Sequence, residues 1–147
     1  MAAGLKLIAE DAEDLEIISA AAQDALVRVQ DLSFDAKARR FTLVLRRFRW
    51  ETAANGPPYE RVNSALSFHG VLAVKTRKLR RDAPEALAAV LSVMFMPGEE
   101  APAGAARIVL AGGGEISLDL ECVDASLIDV GAPWRTPRRP EHEGGQA

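Results

Sequence analysis

The spacing of apolar positions changes once along this chain, from a period near 3.6 in the first quarter to a period near 2 that persists to about Val130. Leu5 to Ala9 predicts a short strand. Asp11 follows as a helix N-cap with Asp14 three residues on, a variant of the capping box, and predicts a helix over about Ala12 to Asp24. Leu15, Ile18, Ala22 and Ala25 recur at three- and four-residue steps and make one apolar stripe, while Glu13 and Glu16 lie where the helix dipole favours negative charge.

Alternation is clearest from Arg40 to Glu51. Phe41, Leu43 and Leu45 share one face, but Phe48 and Trp50 fall on the other if the pleat is unbroken. A β-bulge at Arg46 and Arg47 would return all five to one buried face and leave the strand bent and outwardly cationic. Asn55 to Pro58 predicts a loop, and Arg61 to Val74 a second long strand, interrupted by His69 and Gly70. Lys75 to Asp82 reads as a basic connector. Leu87 to Met96 is apolar enough for a strand covered on both faces, its Ala-rich start being compatible with a turn of helix as well, and Pro97 to Gly104 is a loop. Arg107 to Ala111 predicts a strand, Gly112 to Gly114 a tight turn, and Glu115 to Glu121 a strand with Ile116, Leu118 and Leu120 inward.

Together these elements predict an α+β domain: an N-terminal β-α element packed on a mostly antiparallel, curved sheet of six to eight strands, sandwich-like or a partly open barrel. Leu66, Phe68, Val71 and Val74 align at a spacing of 54 with Leu120, Cys122, Ala125 and Ile128, which raises an internal duplication of three-stranded units. Residues 1–131 then form one globular domain. From Ala132 the sequence loses periodicity and is rich in Pro, Gly and charge, so 132–147 is expected to be a flexible tail.

At 147 residues, with 48% hydrophobic and 27% charged, the chain suits one domain with a real core. No apolar run approaches the roughly 18 residues of a membrane helix, and acids crowd the N-terminus where a secretion signal would be basic, so a cytoplasmic protein without a membrane partner is expected. The charge is strongly segregated. Residues 28–81 hold 13 Lys and Arg against 4 acids, whereas the remainder holds 5 against 17, so the net −3 hides two opposed fields. Either the acidic ends cover the basic middle, or the fold shows an anion-attracting face.

Chemistry has few footholds. His69, His142 and Cys122 supply no paired metal-ligand spacing, so neither metal nor cofactor is expected. Cys122 and His69 lie on the two aligned segments and could form a nucleophile and base, but a lone strand cysteine is more often a small core residue. Gly112 to Gly114 precede a strand, whereas a phosphate cradle requires a helix N-terminus there. Asp119 and Glu121 sit on the solvent face of an alternating strand and read as salt-bridge partners rather than an acid-base pair.

The segments LKLIAEDAEDLEIISAAAQDA, RRFTLVLRRFRWE, RVNSALSFHGVLAV and GGGEISLDLECVDASLIDVGAPW together resemble a family of small alphaproteobacterial proteins of unknown function, over about residues 5 to 135. The resemblance implies a bacterial cytoplasmic protein and brings no activity, cofactor or catalytic residue with it.

The cationic surface is therefore the leading candidate site: Arg46, Arg47 and Arg49 with Lys75, Arg77, Lys78, Arg80 and Arg81, joined if the bulged strand and the basic connector are adjacent, and flanked by Trp50 and Tyr59 as stacking surfaces. Three functions are in play. The first is a non-catalytic binding or adaptor module for an acidic protein segment, or for itself, using this basic strand face and a sheet edge. The second is a phosphate or nucleic-acid binder through the same arginines, disfavoured by the acidic balance and the 5% aromatic content. The third is an enzyme using Cys122 and His69. An enzyme is the least favoured of these.

Overall fold

The computed structural model describes residues 4–137, 139 and 140. Strand β1, Lys6–Ala9, leads into helix α1, Ala12–Ala22. The predicted cap is in place: the Asp14 N–H donates to Asp11 Oδ1 at 2.8 Å, and the Asp14 carboxylate accepts from the Glu10 N–H at 3.0 Å. Leu15, Ile18 and Ala22 form the buried stripe of the helix.

Nine further strands follow: β2 (Leu26–Arg28), β3 (Leu32–Asp35), β4 (Arg40–Phe48), β5 (Tyr59–Phe68), β6 (Val71–Arg77), β7 (Leu87–Pro97), β8 (Gly104–Leu110), β9 (Glu115–Leu120) and β10 (Ala125–Thr136). A 3₁₀ turn, Val29–Asp31, joins β2 to β3, and a single helical turn α2, Trp50–Ala53, follows β4. All pairings are antiparallel, in the order β1-β10-β5-β4-β2-β7-β8-β9-β6, with β3 beside β4. The sheet is open, ending at β1 and β6. One core fills its concave side, where α1 packs with Phe41, Leu43, Leu66, Val93, Ile108 and Leu118. Each such side chain contributes about 1.5–3 kcal/mol by leaving water. Among the described residues, no helix is long and apolar enough to cross a membrane.

The α+β class and the antiparallel sheet agree with the sequence pattern, and several details differ. Ten strands replace the expected six to eight, because β2 and β3 are too short to show a period. The segment expected as one long strand from Arg61 is two: Gly70, at φ +66°, turns the chain between β5 and β6. The first residues of the basic connector, Lys75 to Arg77, belong to β6. Strand pairing continues past Ala132 to Thr136, which faces Tyr59, so the expected tail begins as strand; positions 138 and 141–147 lie outside the described residues.

Arg46 and Arg47 form no bulge. The register from Phe41↔Phe68 to Phe48↔Arg61 is unbroken, so Arg47 points inward with Phe41, Leu43 and Leu45, and Phe48 points outward. Alternation won over hydrophobicity, because a carboxylate waits inside for the guanidinium (below) and Phe48 finds its own aromatic cover on the outer face.

The strand order has a reciprocal exchange. β4 pairs β5 and β8 pairs β9, but β6 leaves β5 to add beside β9, and β10 leaves β9 to add beside β5. The two crossings clasp each other: the His69 N–H donates to Asp124 O at 2.9 Å, and the Glu121 N–H to Gly70 O at 3.0 Å. This exchange is a property of strand order; the three-stranded repeat stays an expectation of the sequence pattern.

Candidate functional site

Among the described residues, seven of the 13 Lys and Arg of the basic middle meet a carboxylate within 4 Å. Lys75 meets Asp119 at 3.6 Å and Arg77 meets Glu115 at 3.7 Å across the β6–β9 pair, the acidic strand beside a basic one. Arg39 pairs with Glu121, and Arg49 with Glu60 and, at 3.7 Å, with Glu51. These partners come chiefly from β9 and the strands flanking β4, while Asp11 and Asp14 of the acidic helix are engaged in its cap.

Arg47 is the extreme case. Its side chain is 1% exposed and is held by two carboxylates: Nε and Nη2 donate to Asp129 Oδ1 and Oδ2 at 3.0 and 2.9 Å, and Nη1 and Nη2 donate to Glu51 at 2.9 and 2.8 Å. Asp129 also accepts from Ser64 Oγ at 2.6 Å and from the Leu5 N–H at 2.9 Å, so β1, β4, β5 and β10 meet at one carboxylate. Burial pushes the Asp129 carboxyl up, but the hydrogen bonds from Arg47, Ser64 and Leu5 outweigh it and hold the group below the usual carboxylate range. Glu51 is likewise held low, chiefly by its hydrogen bond from Arg47. Burial pulls the Arg47 guanidinium down, and its bonds to Glu51 and Asp129 more than reverse this. This cluster is a structural clamp with every oxygen occupied, and it takes Arg47 off the surface.

The other predicted site residues separate into two groups with no hydrogen bond or ion pair between them among the described residues. Around the end of β4, Trp50 packs edge-on against Phe48 with ring centroids 4.6 Å apart, and Tyr59 lies 5.8 Å from the same ring. Trp50 Nε1 donates to Gln23 O at 3.0 Å. Arg46 points outward and its carbonyl accepts from Arg61 at 2.9 Å. Thus Trp50 and Tyr59 serve first as the cover of Phe48, and Arg49 is engaged by two acids.

The second group surrounds a cleft. Its walls are Val27, Leu32, Leu43, Leu79, Leu87, Ala88, Leu110 and Ile116, it encloses about 250 Å³, and Arg28, Lys78 and Arg80 stand among its lining residues. β6 leads directly into it. At Lys78, φ +56°, the chain swings off the sheet edge so that Leu79 packs against the core. The connector is then pinned by a bond from the Gln30 N–H to Pro84 O at 3.3 Å and by Arg81 Nη2 donating to Thr76 Oγ1 at 2.8 Å. Gly112 and Gly113, at φ +88° and +94°, form the predicted β8–β9 turn, and Gly112 and Gly114 border the cleft. Gly114 lies in ordinary van der Waals range of Leu110 and Leu79, which brings the turn beside the connector.

The cations here differ in how committed they are. Arg28 is bound to Asp31 at 3.0 Å, and that hydrogen bond raises its pKa. Arg80 reaches Asp82 only at 3.5 Å with both side chains exposed, an arrangement of small energetic weight. Lys78 is exposed and lies along the glycine turn. A second hollow, between Pro57, Pro58 and Arg135 to Pro137, is broader at about 470 Å³ but bounded by five residues and open to solvent, so it holds a ligand less well. The sequence pointed to Lys78 and Arg80 but not to the apolar cleft beside them, whose walls come from seven separate elements.

Cys122 and His69 are the remaining candidate pair. The clasped crossings do bring their turns together, yet no hydrogen bond joins thiol and imidazole among the described residues.

These features define a small α+β domain built on an open antiparallel sheet, with an apolar cleft and cationic rim. The chain belongs to the family described as "protein of unknown function (DUF2948)", whose model matches residues 5–142. Neither the curated proteins nor the solved structures gave a match.

Proposed function

We propose that the domain is a non-catalytic binding module, working in the bacterial cytoplasm, that recognises a short acidic protein segment carrying one apolar side chain. The carrying observation is the continuity of three features: the edge strand β6, the loosely committed cations Lys78 and Arg80, and the apolar cleft. An extended segment adding to the edge of β6 would place an apolar side chain at the cleft and its carboxylates toward the connector. At about 250 Å³ the cleft is below the range of drug-sized ligand sites, which suits a side-chain anchor rather than a whole cofactor.

Nucleic acid fits less well. The cleft lining contains no aromatic ring, and the cations of β6 alternate with Glu115 and Asp119, which would repel phosphates.

Calorimetric titration with acidic pentapeptides bearing a central Leu, Ile or Phe tests this reading. Binding should be weak, on the order of 0.1–1 mM for so small a contact, and should be lost in the double variant Lys78→Glu, Arg80→Glu and with a Ser-centred peptide. Equal heats for the Leu and Ser peptides would refute the cleft. Tighter binding of an oligonucleotide, falling steeply with salt, would move the assignment to phosphate recognition.

A further inference from the structure

Two stretches of the basic middle run alongside each other and are fastened at both ends. One is residues 30–39, which hold β3 and the turn into β4; the other is residues 71–84, which hold β6 and the connector. The Val71 N–H donates to Arg39 O at 2.9 Å, and the Gln30 N–H donates to Pro84 O at 3.3 Å. Between these fastenings no backbone hydrogen bond crosses among the described residues: β3 pairs only with β4, and β6 only with β9. Two strand edges thus border one slot, each with a row of backbone donors and acceptors turned away from its ladder.

The burial of the side chains marks the same opening. Leu32 and Phe34 of β3 are half-buried, although their cross-strand neighbours Leu43 and Phe41 are buried. Val74 and Thr76 of β6 are half-buried beside the buried Leu118 and Ile116. The cleft opens in this slot, lined by Val29 and Leu32 from one wall and by Lys78, Leu79 and Arg80 from the other. Between the fastenings the two walls carry six Lys and Arg against three Asp, a balance that favours an acidic occupant.

We propose that the acidic segment enters this slot as an inserted strand, bonded to β6 on one side and to β3 on the other, with its apolar side chain in the cleft. The proposal rests on the peptide-binding reading and adds the second wall to it. Addition to β6 alone would leave the β3 edge unpaired beside a bound strand, whereas insertion satisfies both edges. Five extended residues span about 16 Å, and consecutive residues send their N–H groups to opposite sides, so one short segment serves both walls.

That alternation supplies the test. The Leu-centred acidic pentapeptide is titrated into the native protein alongside two derivatives, one N-methylated at the central Leu and one at the residue after it. Insertion predicts that each methyl weakens binding by about tenfold or more, because each N–H meets a wall, and that exchange of the β3 amides slows when the unmethylated peptide binds. Loss with only one derivative, and unchanged β3 exchange, would mean addition to β6 alone; that overturns the insertion and leaves the binding reading standing. Full binding by both derivatives overturns the insertion too, because no strand pairing would be involved. No binding of the unmethylated peptide refutes the reading itself and the insertion with it. Edge amides of β3 and β6 that are already protected without peptide would show a slot closed by this chain or a second copy, and would overturn the proposal.

Discussion

Asp129, one residue from the end of the alternating run that the sequence shows, grips the buried Arg47 guanidinium at 3.0 and 2.9 Å across 82 positions of chain. Through Ser64 and the Leu5 N–H the same carboxylate holds β5 and β1, so one anion fixes the register of four strands. A one-residue slip of β4 or β10 would turn one partner out to solvent and leave the other charged and buried.

Removing one partner alone should therefore be expensive. Arg47→Met is expected to lower unfolding free energy by about 3–5 kcal/mol in urea titrations, since it strands the buried Asp129 carboxylate, and Asp129→Ala by less, since Glu51 still holds the guanidinium. The double variant Arg47→Met, Asp129→Leu should be destabilised by clearly less than the sum of the singles. Additive losses would show that the two side chains do not act as a pair.

Acid should act on the same clamp. The folded-state pKa values of Asp129 and Glu51 are both lowered, so their contribution is fully present above the ordinary carboxylate range, about 3.9–4.3, and is lost as pH falls through the lowered folded values. The urea midpoint should be flat near neutrality and drop below about pH 4. Asp129→Asn should be less stable at neutral pH and show a shallower acid slope. An unchanged slope in that variant would remove Asp129 as a source of the acid sensitivity.

Gly104 opens β8 where Phe95 and the Met96 carbonyl of β7 crowd it, and a Cβ there would overlap both the ring and the backbone oxygen. Gly104→Ala is expected to cost about 1–3 kcal/mol by overpacking, whereas Gly112→Asn, in open space at a positive φ, should cost under about 1 kcal/mol because asparagine tolerates that conformation. Similar losses at the two sites would mean that crowding at Gly104 is relieved by movement of the hairpin.

Much of this was legible in the chain. The capped helix, the antiparallel class and the inward set Ile116, Leu118 and Leu120 follow from local period and capping chemistry, which need no distant partner. Arg47 was misread because hydrophobicity was allowed to break a clean alternation. Two runs each carry one charged residue at an inward position, Arg47 after Phe41, Leu43 and Leu45, and Asp129 after Ala125 and Leu127, and their opposite signs were the available signal. β2 and β3 escaped notice because three- and four-residue strands have no measurable period. The cleft left no trace at all, since its lining spans residues 27 to 116 and exists only after β6 crosses to β9.

The central claim is that the cleft beside Lys78 and Arg80 is the binding surface. Amide shift mapping of the isotopically labelled native protein during titration with the Leu-centred acidic pentapeptide tests it most directly. Shifts confined to β3, β6, residues 78–88 and the Gly112 to Gly114 turn are the expected result. Shifts elsewhere, or none at millimolar peptide, would contradict it.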